Sequence, residues 1–205
     1  MKIDLFLIFS FFLIQALSYD KVAVEVVVES KCPWSGQFET EVAPKLIESI
    51  GDIFTMNFDF AAKYENNNNQ LTFSCMHGPS ECQGNRYELC AQKYYPDKWT
   101  YFNFIKCLDQ DQSQIPFNAE KCGAKEGLDW NQMKECYSKE SAQLLKDSID
   151  SMNTKYPVKY VPTVFINGVE FCVWSSDDGK CPTWDDIRDK ICELYQGPKP
   201  DACSK

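Results

Sequence analysis

The sequence predicts an α/β domain interrupted by a helical insertion that disulfides hold together. Strand-like and helix-like segments alternate at both ends of the chain, and the stretch over about 85–153 reads as helices. Eleven cysteines, at 32, 75, 82, 90, 107, 122, 136, 172, 181, 192 and 203, exceed what core packing in a reducing compartment would need.

The elements follow in order. Lys2 and the apolar run "LFLIFSFFLIQAL", closed by the small residues of "ALS", read as a signal peptide over residues 1–18, leaving 19–205 as the mature domain. The run is shorter than the roughly 20 apolar residues a bilayer span needs, and no later segment is apolar enough to cross one. "KVAVEVVVES" (21–30) is a strand for a buried position. After Cys32 and Pro33, the spacing of Phe38, Val42, Leu46 and Ile50 predicts an amphipathic helix that Gly51 stops. Pro44 lies inside it and predicts a kink near residues 40–43. "IFTMNFDFAA" (53–62) is a second strand, parallel to the first through a right-handed crossover. "YENNNNQ" reads as a solvated polar loop. Helices are expected around 86–95, 98–109 and 130–152, with Cys90, Cys107, Cys122 and Cys136 stapling the block, and with "WTYFNFI" (99–105) as its core. "YVPTVFINGVEF" (160–171) returns to strand, with Asn167-Gly168 as a two-residue hairpin turn. Thr183 with Asp186 caps a last helix lined by Ile187, Ile191 and Leu194, which ends before Gly197-Pro198. Strand, helix, strand, helical block, hairpin, helix is the order of a thioredoxin-like fold with an insertion.

The formal charge of −9, without a basic block, excludes a nucleic-acid partner, whose phosphates demand clustered Lys and Arg. The odd cysteine count is more informative. Ten cysteines can close bridges and one is left over, and Cys32 lies farthest from any other, with Cys75 its nearest neighbour. It opens "CPWS", which has the form of a C-x-x-C redox site with Ser35 in the fourth place.

"CMHGPSECQGNRYELC" (75–90) matches C-Q-H-G-x2-E-C-x2-N-x4-C at every fixed place but Met76. With "YVPTVFING" and "ICELYQGPKPDAC", it resembles the gamma-interferon-inducible lysosomal thiol reductase family along essentially the whole mature chain. The resemblance implies a thioredoxin-like fold with a helical insertion and disulfide reduction in acidic endocytic compartments. It puts Cys32 at the nucleophile, Ser35 where the resolving cysteine belongs, and Pro162 at the cis-proline facing the thiol. Two departures stand out: the second active-site cysteine is missing, and no N-x-S/T sequon follows the leader. Cys172 and Cys181 look like an addition to the family's set and are expected to bridge each other, as are Cys192 and Cys203. Pairings among Cys75, Cys82, Cys90, Cys107, Cys122 and Cys136 stay open.

Thiols attack disulfides as thiolates, and an ordinary cysteine at pH 5 is ionised in only about three molecules per ten thousand. A helix starting at Cys32 stabilises the anion, and Ser35 is expected to donate its hydroxyl to the sulfur. Without a second thiol in the protein, release of substrate needs an external one, such as glutathione or cysteine, or a second thiol of the substrate itself, and no other cofactor is expected. The expected function is monothiol reduction, shuffling or deglutathionylation of disulfide-containing polypeptides in a secreted or endolysosomal setting. The alternative is a binding or client-holding protein that keeps the fold. Trp34, Pro162 and Thr163 are expected to touch substrate, Thr163 beside a strand edge. His77, Glu81 and Asn85 are assigned to hydrogen bonds around the first cysteine loop. No metal site is expected: a zinc set of Cys75, His77, Cys82 and Cys90 lacks the short paired spacing such sites use.

Overall fold

The computed structural model describes residues 19–68, 70–174 and 183–204. The expected signal peptide lies outside them. Strand β1 (Val22–Val28) buries its valines and pairs in parallel with β2 (Phe54–Phe60), Val22 opposite Phe54 and Val28 opposite Phe60. Strand β5 (Thr163–Ile166) runs antiparallel on the other side of β1, and β6 (Val169–Val173) follows it, giving the order β2-β1-β5-β6. Asn167 and Gly168 both take positive φ, 49° and 79°, as the hairpin turn requires.

Between β1 and β2 the chain is helical from Pro33 to Ile50, but not uniformly. Helix α1 (Pro33–Gln37) passes into a π-helical turn over Phe38–Val42 before α2 (Ala43–Ile50). The break expected from Pro44 is present as this wider turn, in which the Ala43 amide reaches the Phe38 carbonyl. An extra residue in the turn accommodates a proline that lacks an N–H to donate.

Three expectations are corrected. Of "YENNNNQ", Tyr64–Asn67 and Gln70 belong to a second, two-stranded sheet, β3 (Lys63–Asn67) and β4 (Gln70–Ser74), rather than to a loop, while Asn69 lies outside the described residues. Tyr64 and Phe73 pack against the core from this hairpin, and Asn68 turns it at φ 52°. Helix α3 spans Pro79–Tyr94 and so begins seven residues earlier than expected, with Pro79 in its first turn and Gly78 before it at φ +87°. The single helix expected over 130–152 is two, α6 (Trp130–Lys139) and α7 (Ser141–Thr154). They part at Glu140, whose carboxylate accepts from Tyr94 Oη at 2.6 Å and pairs with Lys93. Helix α4 (Lys98–Asp109) stands where expected, and α5 (Ala119–Lys125) completes the insertion. Trp99 of the aromatic run is exposed, while Tyr101, Phe102 and Phe104 are buried as its core.

Disulfides Cys90–Cys136 and Cys107–Cys122 tie α3 to α6 and α4 to α5. Cys75–Cys82 closes the loop entering α3, and Cys192–Cys203 ties the last helix, α8 (Trp184–Leu194), to the tail. Cys172 is disulfide-bonded, and the pairing expected with Cys181 falls on a residue outside the described ones. The insertion also finishes the sheet. Strand β2 is an edge, and Gln92 of α3 both accepts from Phe58 N (2.7 Å) and donates to Phe58 O (3.1 Å), while Ser148 of α7 accepts from Phe60 N at 2.7 Å. An edge so capped cannot pair with another chain at those residues.

Candidate active site

Cys32 lies in the turn that converts β1 into α1. Its backbone is extended, φ −76° and ψ 123°, and its carbonyl accepts from Gly36 N at 3.0 Å, so the residue caps the helix. The side chain makes no cap hydrogen bond, and Pro33 in the first turn has no N–H to offer it. Cys32 is 7% exposed and is the one free cysteine among the described residues. Its Sγ faces the Val161 carbonyl at 4.0 Å, and the Val161–Pro162 bond is cis.

The thiol opens into a cleft of about 700 Å³. Pro33, Trp34, Met76, Met152, Val158 and Val161 make its walls largely apolar, while Glu29, Cys75 and His77 add polar or polarisable groups. Met76 and Tyr160 stand at this cleft 80% and 52% exposed.

Two expected site residues turn away from the cleft. Ser35 is fully buried, and its Oγ accepts from Glu29 N at 3.2 Å instead of donating to the Cys32 sulfur. Thr163 is 1% exposed, with its hydroxyl bonded to Tyr160 O at 2.6 Å. It lies on β5 between β1 and β6, so no free strand edge exists there. The cleft-facing backbone comes just before it, at Tyr160 and Val161.

The cysteine signature docks onto the Cys32 turn from behind. Asn85 Oδ1 accepts from Ser30 N at 3.0 Å, and the Glu81 carbonyl accepts from Ser30 Oγ at 3.1 Å. Gly84 makes the approach possible: a Cβ there would lie 2.5 Å from Ser30 Oγ and 2.5 Å from Ile115 Cγ2. Glu81, Asn85 and His77 therefore do make loop hydrogen bonds, and those of Glu81 and Asn85 hold the turn that carries Cys32. The zinc set weighed from the sequence cannot form, because Cys75, Cys82 and Cys90 are all in disulfides.

Acidic residues that the sequence reading passed over surround the turn. Glu29, buried in the cleft wall, is pushed up to about 7 by burial and by neighbouring Glu81, with His77 opposing. Beneath the helix start, Glu39 is held well above the carboxylate range by burial and by Asp109 and Glu88. Burial and the charges of Asp109 and Glu81 push Glu88 up in the same way. Asp109 is raised to about 6 by burial, against a hydrogen bond from Gln112 that lowers it. Gln112 Nε2 joins this group to the Cys32 backbone, reaching Asp109 Oδ1 at 3.0 Å and Cys32 O at 3.2 Å. Glu29 had a visible signal, a charge closing the valine run three residues before Cys32. Gln112 had none.

Residues 23–126, just over half of the 205-residue chain, match the family model described as gamma interferon inducible lysosomal thiol reductase. The chain is 29% identical over 217 residues to GILT-like protein 1 of Drosophila melanogaster, covering 97% of this chain and 85% of that one. It is 28% identical over 192 residues to the gamma-interferon-responsive lysosomal thiol protein of Arabidopsis thaliana, covering 90% and 76%. Among solved structures it is similar to oxidised BdbD from Bacillus subtilis, with TM-score 0.61 and 18% identity, over 84% of this chain and 86% of that one. It is similar also to reduced DsbA from Mycobacterium tuberculosis, with TM-score 0.60 and 19% identity, over 93% and 91%. At such identities the structural likeness speaks for the thioredoxin-like fold.

Proposed function

This chain belongs to the gamma interferon inducible lysosomal thiol reductase family, and we propose that it reduces and exchanges the disulfides of polypeptides through Cys32 alone. That it is a thiol-disulfide oxidoreductase follows from the family. The single-thiol mechanism is supported by one observation above the rest: Cys32 is free, caps a helix beside a cis-proline, and has Ser35 rather than a second thiol one turn on.

The steps balance as follows. The Cys32 thiolate attacks one sulfur of a substrate disulfide; a mixed disulfide forms and the other sulfur leaves as a thiolate that takes a proton. An external monothiol then attacks the Cys32 sulfur, releasing the second substrate thiol and leaving a monothiol cap on Cys32. A second monothiol removes the cap, so two monothiols are oxidised to their disulfide for each substrate disulfide reduced. A glutathionylated substrate enters the same cycle, which makes deglutathionylation part of the proposal. Ser35 takes no part, since its alcohol forms no disulfide. Trp34, Val161 and the exposed Met76 and Tyr160 supply apolar contact for chain flanking the substrate sulfur.

We place the activity in an acidic lumen of the secretory or endolysosomal system. The disulfide-stapled insertion supports this, and among the described residues no helix is long and apolar enough to cross a membrane. The raised Asp109, Glu39 and Glu88 support it too: in acid they stay neutral and set no anions against the Cys32 thiolate. Insulin reduction tests the mechanism. With glutathione the protein turns over, and Cys32→Ser abolishes the activity; turnover by the Cys32→Ser protein would overturn the proposal.

The same cleft favours a second reading, in which clients are held as mixed disulfides. A protein that traps insulin chains on Cys32 but is not released by added glutathione would select it.

A further inference from the structure

The wall of the Cys32 cleft carries a cluster that disulfide exchange leaves unused. Glu29, His77 and Glu81 each offer one ligand-type atom, and the three atoms lie within 4.8 Å of one another. His77 Nδ1 is 2.5 Å from Glu81 Oε2 and 3.7 Å from Glu29 Oε2. Both carboxylates are buried, Glu29 at 5% exposure and Glu81 at 0%. Glu29 Oε2 is shut off from solvent with no hydrogen-bond partner, and it points at the imidazole. Among the described residues no Lys or Arg makes an ion pair with any of the three. The one positive group near this buried oxygen among the described residues is the His77 ring at 3.7 Å, too far for a hydrogen bond, which leaves room for a cation between them.

We propose that Glu29, His77 and Glu81 form a binding site for a divalent cation of zinc's class. One imidazole nitrogen and two carboxylate oxygens are a donor set for zinc or manganese, and three protein ligands leave a coordination position open toward the cleft. Bonds of about 2.0–2.2 Å to a tetrahedral ion place ligand atoms about 3.3 Å apart. The Glu29–His77 separation is within a few tenths of an ångström of that value, and the His77–Glu81 contact opens by about 0.8 Å to admit the ion.

The ligands are already oriented. The His77 backbone N–H donates to Glu81 Oε1 at 3.0 Å, which leaves Oε2 for the imidazole or an ion. The Cys75–Cys82 bridge closes the loop between them, and Gly78 N to Cys75 O and Glu81 N to Gly78 O, both 3.1 Å, tighten it. Asn85 holds Ser30, the residue after Glu29. Supports of this kind fix ligand geometry before an ion arrives.

The test uses the mature chain with Cys32→Ser, so that zinc held by the free thiol is not counted. Zinc is titrated near neutral pH against a chromophoric chelator, and melting is followed with and without zinc. The expected result is one equivalent bound and a melting temperature raised by zinc. Glu29→Gln and His77→Gln, made separately in that background and checked for folding by circular dichroism, each weaken binding at least tenfold and remove the shift. Absence of stoichiometric uptake by the Cys32→Ser protein, or equal affinity in folded Glu29→Gln and His77→Gln proteins, overturns the proposal.

Discussion

Replacing Asp109 by asparagine removes a charge from beneath the nucleophile's helix while keeping the side chain's shape. Asp109 Oδ2 is sealed from solvent, the carboxyl shares a hydrogen bond with that of Glu39, and Oδ1 accepts from Gln112, a bond that an amide oxygen retains. The aspartate is raised from 3.8 to about 6. The native state therefore keeps a proton that the unfolded chain releases between those values, and the stability it contributes, complete below 3.8, is lost as pH rises through 6. A displacement of that size corresponds to about 3 kcal/mol. This is the upper end for one group, because Asp109 titrates together with Glu39 and part of the residue is exposed. Asp109→Asn should match the parent at pH 4 and gain on it at pH 7.5 by an amount approaching that figure. Guanidinium unfolding with disulfides intact, run at several pH values, measures the gap. A gap independent of pH, or a parent that grows more stable from pH 4 to 7.5, refutes the reasoning.

Ser35→Cys restores a thiol one turn from Cys32, so a reduced variant should release its bound peptide without external thiol, whereas the parent stays linked; mass spectrometry of the quenched mixture distinguishes them. Gly84→Ala drives a Cβ to 2.5 Å from Ser30 Oγ and Ile115 Cγ2. It should cost about 1–3 kcal/mol and lower the melting temperature. Replacing Cys90 and Cys136 together by serine opens a bridge of sequence separation 46. By the chain-entropy account it should cost up to about 4 kcal/mol, read as a lower denaturant midpoint.

What could be read in the sequence was local or carried by spacing. The valine run of β1, the Asn167-Gly168 turn and the leftover Cys32 each report on a few neighbouring residues or on a count. Pro44 told where the first helix breaks, because the missing N–H acts in place. It did not tell that the break is a π-helical turn, which depends on how Phe38 and Val42 must meet the core. The β3–β4 hairpin was hidden by its asparagines; its signal was the alternation of Tyr64, Leu71 and Phe73, partly buried in a mostly polar stretch. The division at Glu140 rests on contacts with Lys93 and Tyr94, whole helices away. At the site, Cys32 was singled out by the odd cysteine count, Trp34 by its place beside it, and the cis Val161–Pro162 bond by the resemblance. Gln112, 80 residues along the chain from Cys32, and Asp109 enter through tertiary packing alone. Ser35 and Thr163 were misjudged because sequence proximity to the nucleophile does not tell which way a side chain turns.

The claim at the centre is that one sulfur does the chemistry and cannot release its product unaided. Reduced protein mixed with a disulfide-bonded peptide, with no other thiol present, tests it most directly when the acid-quenched products are mapped by mass spectrometry. A one-to-one adduct at Cys32 with one peptide thiol freed, in equilibrium only with the starting peptide disulfide, is the predicted result. Release of the whole peptide as free thiols, or an adduct on another cysteine with Cys32 unmodified, contradicts it.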